Sequence, residues 1–286
     1  GAGAIGMEFA DVYNSFGTEV TVIEALDRVL PNEDKESSQT VERAFKKRGI
    51  AVHTGTRLEK ADVGKNSVKL TIKKKDGKTE TVEAERVLVA IGRAPIIDDI
   101  GLEKAGVRTE NGFIAVDGLM RTSADGVYAI GDCARPPLLA HKASHEGVVA
   151  AEAIAGVAER GVDYANIPSV TYCTPEVASV GMTEDQAKEA GYDIQVGKFP
   201  FSANGRARTA GETDGFVKII RDKKYSEVLG AHMVGPHVSE MISEFIVGRH
   251  LETTAEELDK AMHPHPTLSE AIAEAALASL GRVIHI

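Results

Sequence analysis

The chain opens inside its most constraining pattern. Gly1-Ala2-Gly3-Ala4-Ile5-Gly6 puts glycine where a turn must bend sharply, approach a ligand and admit a neighbouring backbone. Ile5, Phe9, Val12, Tyr13 and Phe16 follow at helical spacing, which predicts an amphipathic helix with those five residues on one face and Gly17 as its stop. Val20-Thr21-Val22-Ile23 then reads as a short buried strand ending at Glu24, eighteen residues beyond Gly6. Turn, helix, strand and acidic terminus at these offsets make the unit that seats a dinucleotide. Gly1 makes the tight turn, Gly3 admits the pyrophosphate, Gly6 lets the helix lie on the sheet, and the helix N-terminus offers its positive dipole end to the phosphates. Glu24 is placed to accept the adenosine ribose hydroxyls, which favours NAD; Arg28 leaves NADP as the lesser alternative, since an arginine here can receive a 2′-phosphate. Ile5 and Glu8 join Gly1, Gly3 and Gly6 as expected cofactor contacts. No strand precedes Gly1, although one would normally lie mid-sheet there, so the sequence reads as a piece of a longer chain.

With 286 residues, 43% hydrophobic and 27% charged, the composition is that of a soluble globular protein with room for more than one domain. A net charge of −10 disfavours a nucleic acid partner. No leader pattern or membrane-length apolar run is present, so a cytoplasmic protein without a membrane partner is expected. The two cysteines, Cys133 and Cys173, are too far apart in sequence for a Cys-x-x-Cys site, which argues against a zinc ribbon or a disulfide framework and leaves no candidate redox pair.

Residues 31 to 50 read as a helix carrying Val41, Ala44 and Phe45, before the strand Ile50-Ala51-Val52. Val68, Leu70 and Ile72 alternate with polar residues up to the Asp76-Gly77 turn, and Thr79, Thr81 and Val82 return, which is a hairpin. Arg86 to Pro95 reads as a fully buried parallel strand running into a Gly92 turn. Gly126 to Cys133 reads as a strand ending in Gly131-Asp132, where Asp132 either accepts the hydroxyls of a polyol or caps a helix. A helix over about Lys142 to Ala158 follows, with Val148 to Ala158 as core. His141 and His145 sit four apart, but no third ligand accompanies them, so no metal is expected. From Ile167 strands at Ser169–Cys173, Val177–Gly181, Gln195–Phe201, Gly215–Arg221 and Val228–Val234 alternate with helices at Glu184–Gly191, Ser239–His250 and Ala255–Ala261, which predicts an antiparallel sheet with helices on one side.

The loop His263-Pro264-His265-Pro266-Thr267-Leu268-Ser269-Glu270 enters the last helix. Two prolines stiffen it, so His265 is held with a glutamate five residues away. An imidazole beside a carboxylate suits proton transfer, because the carboxylate orients the ring and favours the imidazolium. The same residues also fit a capping box from Thr267 to Glu270.

His-Pro-His-Pro-Thr-Leu-Ser-Glu-Ala over 263–271 resembles the C-terminal signature of the dihydrolipoamide dehydrogenases, within the flavin-dependent pyridine nucleotide-disulfide oxidoreductases. Ala90-Ile91-Gly92-Arg93-Ala94-Pro95, Gly126-Val127-Tyr128-Ala129-Ile130-Gly131-Asp132, Tyr172 to Gly181 and Phe199 to Ala207 resemble further elements of that family, in its order. The resemblance implies an α/β fold with a Rossmann-like NAD-binding domain at 1–92 lacking its first strand, the remnant of an FAD domain at 93–163, and an α+β interface domain with an antiparallel sheet at 164–286. It implies FAD and NAD as cofactors, His265 as a base oriented by Glu270, Gly92 beside the nicotinamide cofactor, Asp132 on the flavin ribitol, and Leu138, Leu139, Ala140 and His141 along the flavin edge. It also implies a homodimer that oxidises dihydrolipoamide on the lipoyl domain of a 2-oxo acid dehydrogenase or glycine cleavage complex, with Cys173 a strand residue of no redox role. A glutathione reductase-like enzyme and a non-catalytic NAD-binding dimerisation module are the alternatives. Because the N-terminal flavin half and the cysteine pair are lacking, no lipoamide turnover is expected of these residues alone.

Overall fold

A computed structural model describes all 286 residues. The chain forms two compact units, one of residues 1–91 and 168–286, the other of residues 92–167. The first begins with helix α1 (Ala4–Ser15), which ends as expected before Gly17, where φ is +86°. Strand β1 (Thr21–Ile23), helix α2 (Lys35–Lys47) and strand β2 (Ala51–His53) follow, with β1 and β2 parallel and Val22 opposite Val52. Asp34 starts α2 by accepting the Glu36 amide, and Lys46 and Lys47 complement its C-terminal dipole. Strands β3 (Arg57–Val63), β4 (Val68–Lys73) and β5 (Thr79–Ala84) make an antiparallel sheet in which Leu70 and Ile72 are the buried residues of β4.

Two features of this stretch depart from its apolar pattern, the burial of α1 and the expected strand at 86–95, which is overturned. Helix α1 turns Met7 and Ala10 inward, joining Val22, Val41 and Phe45, whereas Phe9 is 42% and Phe16 85% exposed. Ile5, Phe9, Val12 and Tyr13 are only partly covered, so the stripe that predicts the helix is not the side that enters the core. Residues 86–95 form no strand, and Val89 and Ile91 are 71% and 83% exposed. A strand requires a partner for its N–H and C=O groups, and this segment has none; apolar content does not supply one.

The second unit contains strands β6 (Thr109–Glu110) and β7 (Phe113–Ile114), joined through Asn111 and Gly112, both at positive φ, as a tight hairpin turn needs. Helix α3 (Ala140–Ala155) is closed by Gly156 in the left-handed conformation. The expected strand at 126–133 is irregular chain with one bridge, Arg121 to Tyr128, ending in a 3-10 turn over Gly131–Cys133. The 148–158 run is amphipathic rather than core: Val149, Ala150 and Ala153 are buried, while Val148, Ile154 and Val157 are exposed.

The first unit resumes with β8 (Ser169–Thr171), β9 (Glu176–Gly181), α4 (Glu184–Glu189), β10 (Ile194–Pro200), α5 (Gly205–Ala210), β11 (Phe216–Asp222), β12 (Val228–Gly235), α6 (Val238–His250), α7 (Ala255–Lys260) and α8 (Glu270–Ser279). The five strands form an antiparallel sheet in the order β10-β11-β12-β9-β8. On one face, Phe199, Val217, Ile219, Ala231 and Met233 pack against Ile242 and Phe245 of α6 and Ile272 and Ala275 of α8. Helix α8 lies so close to β10 that a Cβ on Gly197 would stand 2.0 Å from the Ala275 carbonyl oxygen.

The opposite face carries a polar row through all five strands, in which Lys198, Lys218, His232, Ser179 and Ser169 are successive cross-strand partners. The start of α2 sits against it. Lys218, 1% exposed, meets Asp34 at 3.0 Å, Glu36 at 3.0 Å and Glu184 at 2.7 Å. Lys198 meets Glu36 at 2.6 Å, and the Ser169 hydroxyl donates to Glu33 at 2.9 Å. Burial holds His232 below the usual imidazole range and hence neutral, its Nε2–H donating to the Met182 carbonyl at 2.9 Å. No helix is long and apolar enough to cross a membrane.

Candidate active site

The loop before α8 brings His265 and Glu270 together. His265 Nδ1 lies 2.8 Å from Glu270 Oε1, and Glu270 Oε2 accepts the Thr267 amide at 2.8 Å. The Thr267 hydroxyl donates to the Pro264 carbonyl at 2.7 Å, and α8 begins at Ser269 without a side-chain cap, so the capping box is only half formed. One carboxylate thus fixes both the loop and the ring. Burial works against its charge, but the Thr267 amide and His265 outweigh this and hold Glu270 below the usual carboxylate range. Since an ionised carboxylate only accepts, neutral His265 carries its proton on Nδ1. Its Nε2 lone pair then faces solvent from a side chain that is 79% exposed.

His263 is wired differently. Its Nε2 lies 2.8 Å from Glu244 and its Nδ1 2.9 Å from the Ala261 carbonyl. Both neighbours are acceptors, so both ring nitrogens are satisfied only in the imidazolium, and the Glu244 hydrogen bond accordingly raises its pKa. Asn204, 4% exposed, ties the loop to α5 by donating to the Thr267 carbonyl at 3.0 Å and accepting the Ala207 amide at 3.0 Å. Glu244 and Asn204 were not singled out from sequence. Glu244 lies on α6, nineteen residues from its histidine, and no local spacing signals it.

At the glycine-rich turn, a Cβ on Gly6 would stand 2.0 Å from the Gly1 oxygen and one on Gly1 would stand 2.2 Å from the Ala90 oxygen, so both positions demand glycine for close backbone packing. A Cβ on Gly3 would meet nothing within 4 Å. Gly3 is also the N-cap of α1 and no side chain caps that helix, so the open space faces unsatisfied amides, the donor set a pyrophosphate requires. Glu24, 8% exposed, accepts the Ala2 amide at 2.6 Å and the Leu26 amide at 2.7 Å, bracing the turn against the end of β1. Glu8 accepts the Tyr172 amide at 2.9 Å, and Ile5 is partly exposed on the first helical turn.

In the second unit, Asp132 leaves the 3-10 turn with its side chain 53% exposed, 3.6 Å from Arg93 Nη1. Arg93 also donates to the Leu138 carbonyl at 2.5 Å, which joins Asp132 to the stretch Leu138, Leu139, Ala140 and His141 that leads into α3. Gly92, at φ +140°, precedes this arginine. An outward carboxylate beside an uncapped helix start is chemically suited to the hydroxyls of a polyol chain. No three His, Cys, Asp or Glu residues gather as a metal site. Both cysteines are free, and burial, with Asp11 and Glu8 nearby, pushes the Cys173 thiol up to about 12, far from a reactive thiolate.

Residues 1–147 match the model of the pyridine nucleotide-disulphide oxidoreductases, and residues 167–276 match the dimerisation domain of the same group. With its mixed α/β fold and antiparallel sheets, the chain belongs to the pyridine nucleotide-disulphide oxidoreductase family. Within that family it is similar to dihydrolipoyl dehydrogenases: it is 49% identical to that of Zymomonas mobilis over 100% of this chain and 61% of the relative, and 47% identical to that of Rhizobium etli over 100% and 60%. The crystal structure of LpdA from Mycobacterium tuberculosis superposes with a TM-score of 0.88 at 31% identity, covering 96% of this chain and 59% of that one. The chain therefore spans about 60% of the length of the relatives it matches.

Proposed function

We propose that this chain supplies the acid–base, NAD-binding and part of the flavin-binding machinery of a dihydrolipoyl dehydrogenase, which oxidises protein-bound dihydrolipoamide and reduces NAD. The carrying observation is the His265–Glu270 pair: Nδ1–H held by an ionised carboxylate and Nε2 free. In this reading Nε2 takes the proton of a substrate thiol, so that an S–H bond breaks and an N–H bond forms, and Glu270 stabilises the imidazolium until the proton leaves. Oxidising a dithiol to a disulfide releases two electrons and two protons. When bound, FAD carries the electrons and NAD accepts them with one proton. Gly1, Gly3 and Gly6 with the start of α1 hold the NAD pyrophosphate, Glu24 meets the ribose, and Asp132 meets the flavin ribitol with residues 138–141 beside the ring.

The same proposal assigns residues 1–92 to an NAD-binding domain, 93–163 to the closing part of a flavin domain, and 164–286 to an interface domain. It includes a homodimer, a lipoyl domain as partner and a cytoplasmic setting. The thiol–disulfide step requires a cysteine pair that the chain does not hold. NADH production from dihydrolipoamide, with FAD present, is the test. None is expected from the 286 residues alone, and turnover by a version extended to the length of the relatives should fall by about 10²- to 10⁴-fold in His265→Gln. Flavin-dependent turnover by the isolated chain, or an extended form indifferent to His265→Gln, refutes the reading.

A further inference from the structure

Behind Asp132 lies a fully buried ion pair. Lys142 and Glu146, one turn apart on α3, both have 0% side-chain exposure and are 3.1 Å apart. Glu146 Oε2 accepts the Gly131 amide at 2.7 Å, and Lys142 Nζ donates to the Gly131 carbonyl at 3.1 Å. The remaining groups are also used: Lys142 donates to the Arg135 carbonyl at 2.8 Å, and the Tyr164 hydroxyl donates to Glu146 Oε1. The Arg135 guanidinium lies 3.9 Å over the Tyr164 ring and closes the network. Burial and the Glu146 carboxylate raise the Tyr164 phenol, which keeps it a donor.

Desolvating two charges is costly, and a well-packed apolar pair on α3 would stabilise the unit as well or better. An apolar pair would, however, leave the Gly131 N–H without its acceptor, while the Gly131 C=O would keep only the Ala134 amide at 3.1 Å. Gly131 is at φ +76°, and a Cβ there would come within 3.3 Å of the Ala143 methyl, so this residue is shaped to its place against α3. With both of its polar groups taken, the direction of the next side chain, Asp132, is set. The buried Lys142–Glu146 pair is fully used by these protein partners, so its influence acts through that turn.

We propose that Lys142 and Glu146 are positioning residues for the flavin: they clamp the Gly131 backbone and so aim the Asp132 carboxylate at the polyol hydroxyls. This rests on the reading of Asp132 given above. The test compares Glu146→Ala, Glu146→Gln, Asp132→Asn and a cavity variant of the same unit, Val149→Ala, in the FAD-loaded protein at the length of its relatives. The readouts are the FAD dissociation constant, the visible circular dichroism of the bound flavin, Tm, and hydrogen exchange at the Gly131 amide. Glu146→Ala is expected to weaken FAD about 10- to 100-fold, by analogy with the loss of partners that orient metal ligands, to speed Gly131 exchange and to change the flavin dichroism. Glu146→Gln, which keeps an acceptor for the amide, should recover part of the affinity, and Val149→Ala should lower Tm with FAD retained. FAD loss that follows Tm equally in Val149→Ala and the Glu146 variants overturns the proposal, as does wild-type affinity in Glu146→Ala. Wild-type FAD affinity in Asp132→Asn, with Gly131 exchange slow, instead overturns the reading of Asp132 and with it any flavin role for the clamp.

Discussion

Lys218→Met is the perturbation for which the structure gives the sharpest expectation. The ammonium is 1% exposed and faces Asp34, itself 2% exposed, with Glu36 and Glu184 at 38% and 30% on the same nitrogen. Methionine fills the stem's volume but leaves the buried Asp34 carboxylate without its cation, a change that costs about 3–5 kcal/mol. Glu36 and Glu184 are wet enough that each adds less than about 1 kcal/mol, so Asp34 dominates. Urea unfolding followed by far-ultraviolet circular dichroism at pH 7.5 reads this directly. With a slope near ~3 kcal/mol/M the midpoint should fall by about 1 M or more.

The pH dependence adds a second constraint. Burial raises Asp34 and Glu36, but His232 and Lys218 at Asp34, and Lys198 and Lys218 at Glu36, outweigh it, while hydrogen bonds from Lys188 and Lys218 lower Glu184, so all three carboxyls lie below their ordinary values. Groups with depressed folded pKa values contribute stability that is complete above the unfolded carboxylate range, near ~4, and is lost as pH falls through the folded values. The deficit of Lys218→Met should therefore be full above about pH 5 and shrink below about pH 4 as its carboxylates protonate. A deficit under ~1 kcal/mol at pH 7.5, or one that grows on acidification, refutes the assignment of a buried, paired lysine.

Two further expectations follow from the loop and its support. Gly197→Ala places a methyl against the Ala275 carbonyl and the Ser279 amide; about 1–3 kcal/mol or more of stability should be lost, and α8, which carries Glu270, should shift, so a crystal structure with the His265–Glu270 distance unchanged and normal stability contradicts it. In Glu244→Gln, His263 loses the partner that raises it, and its NMR titration should move down toward the ordinary value near ~6.5. Because the folded pKa is the raised one, the stability linked to this pair is complete below the unfolded value and is lost as pH rises through the folded one, so an unchanged titration, or a loss on acidification, removes Glu244 as the cause.

What could be read from the residues follows from how local the signals are. The five strands of the antiparallel sheet show in the sequence because their apolar runs are bounded by turn residues, and the pairing of His265 with Glu270 shows because both lie in one short, proline-stiffened loop. Strand β3 does not: every residue of Arg57–Val63 is exposed, so no burial alternation marks it. The reverse error befalls 86–95, whose apolar residues promise a strand that does not form, and the apolar stripe of α1 is not the side that enters the core. Lys142 and Glu146 look like an ordinary solvated pair one helical turn apart, since nothing near them announces that Gly131 will fold back onto both. Lys218 likewise reads as one polar residue in an apolar strand, because its partner Asp34 is 184 residues away.

That separation bears on how the protein is made. The start of α2 is seated by the polar row of a sheet whose central strands are synthesised far later, and the core around Met7 and Phe45 borrows Val177, Phe216 and Val234 from the same late segment. At about 5–20 residues per second, the 184 residues between Asp34 and Lys218 take roughly 9 to 37 s to emerge. Throughout that interval Asp34 and Glu36 lack the Lys218 ammonium, and the core around Met7 and Phe45 lacks Phe216 and Val234. The seating of α2 and the closing of that core therefore wait on strands β11 and β12.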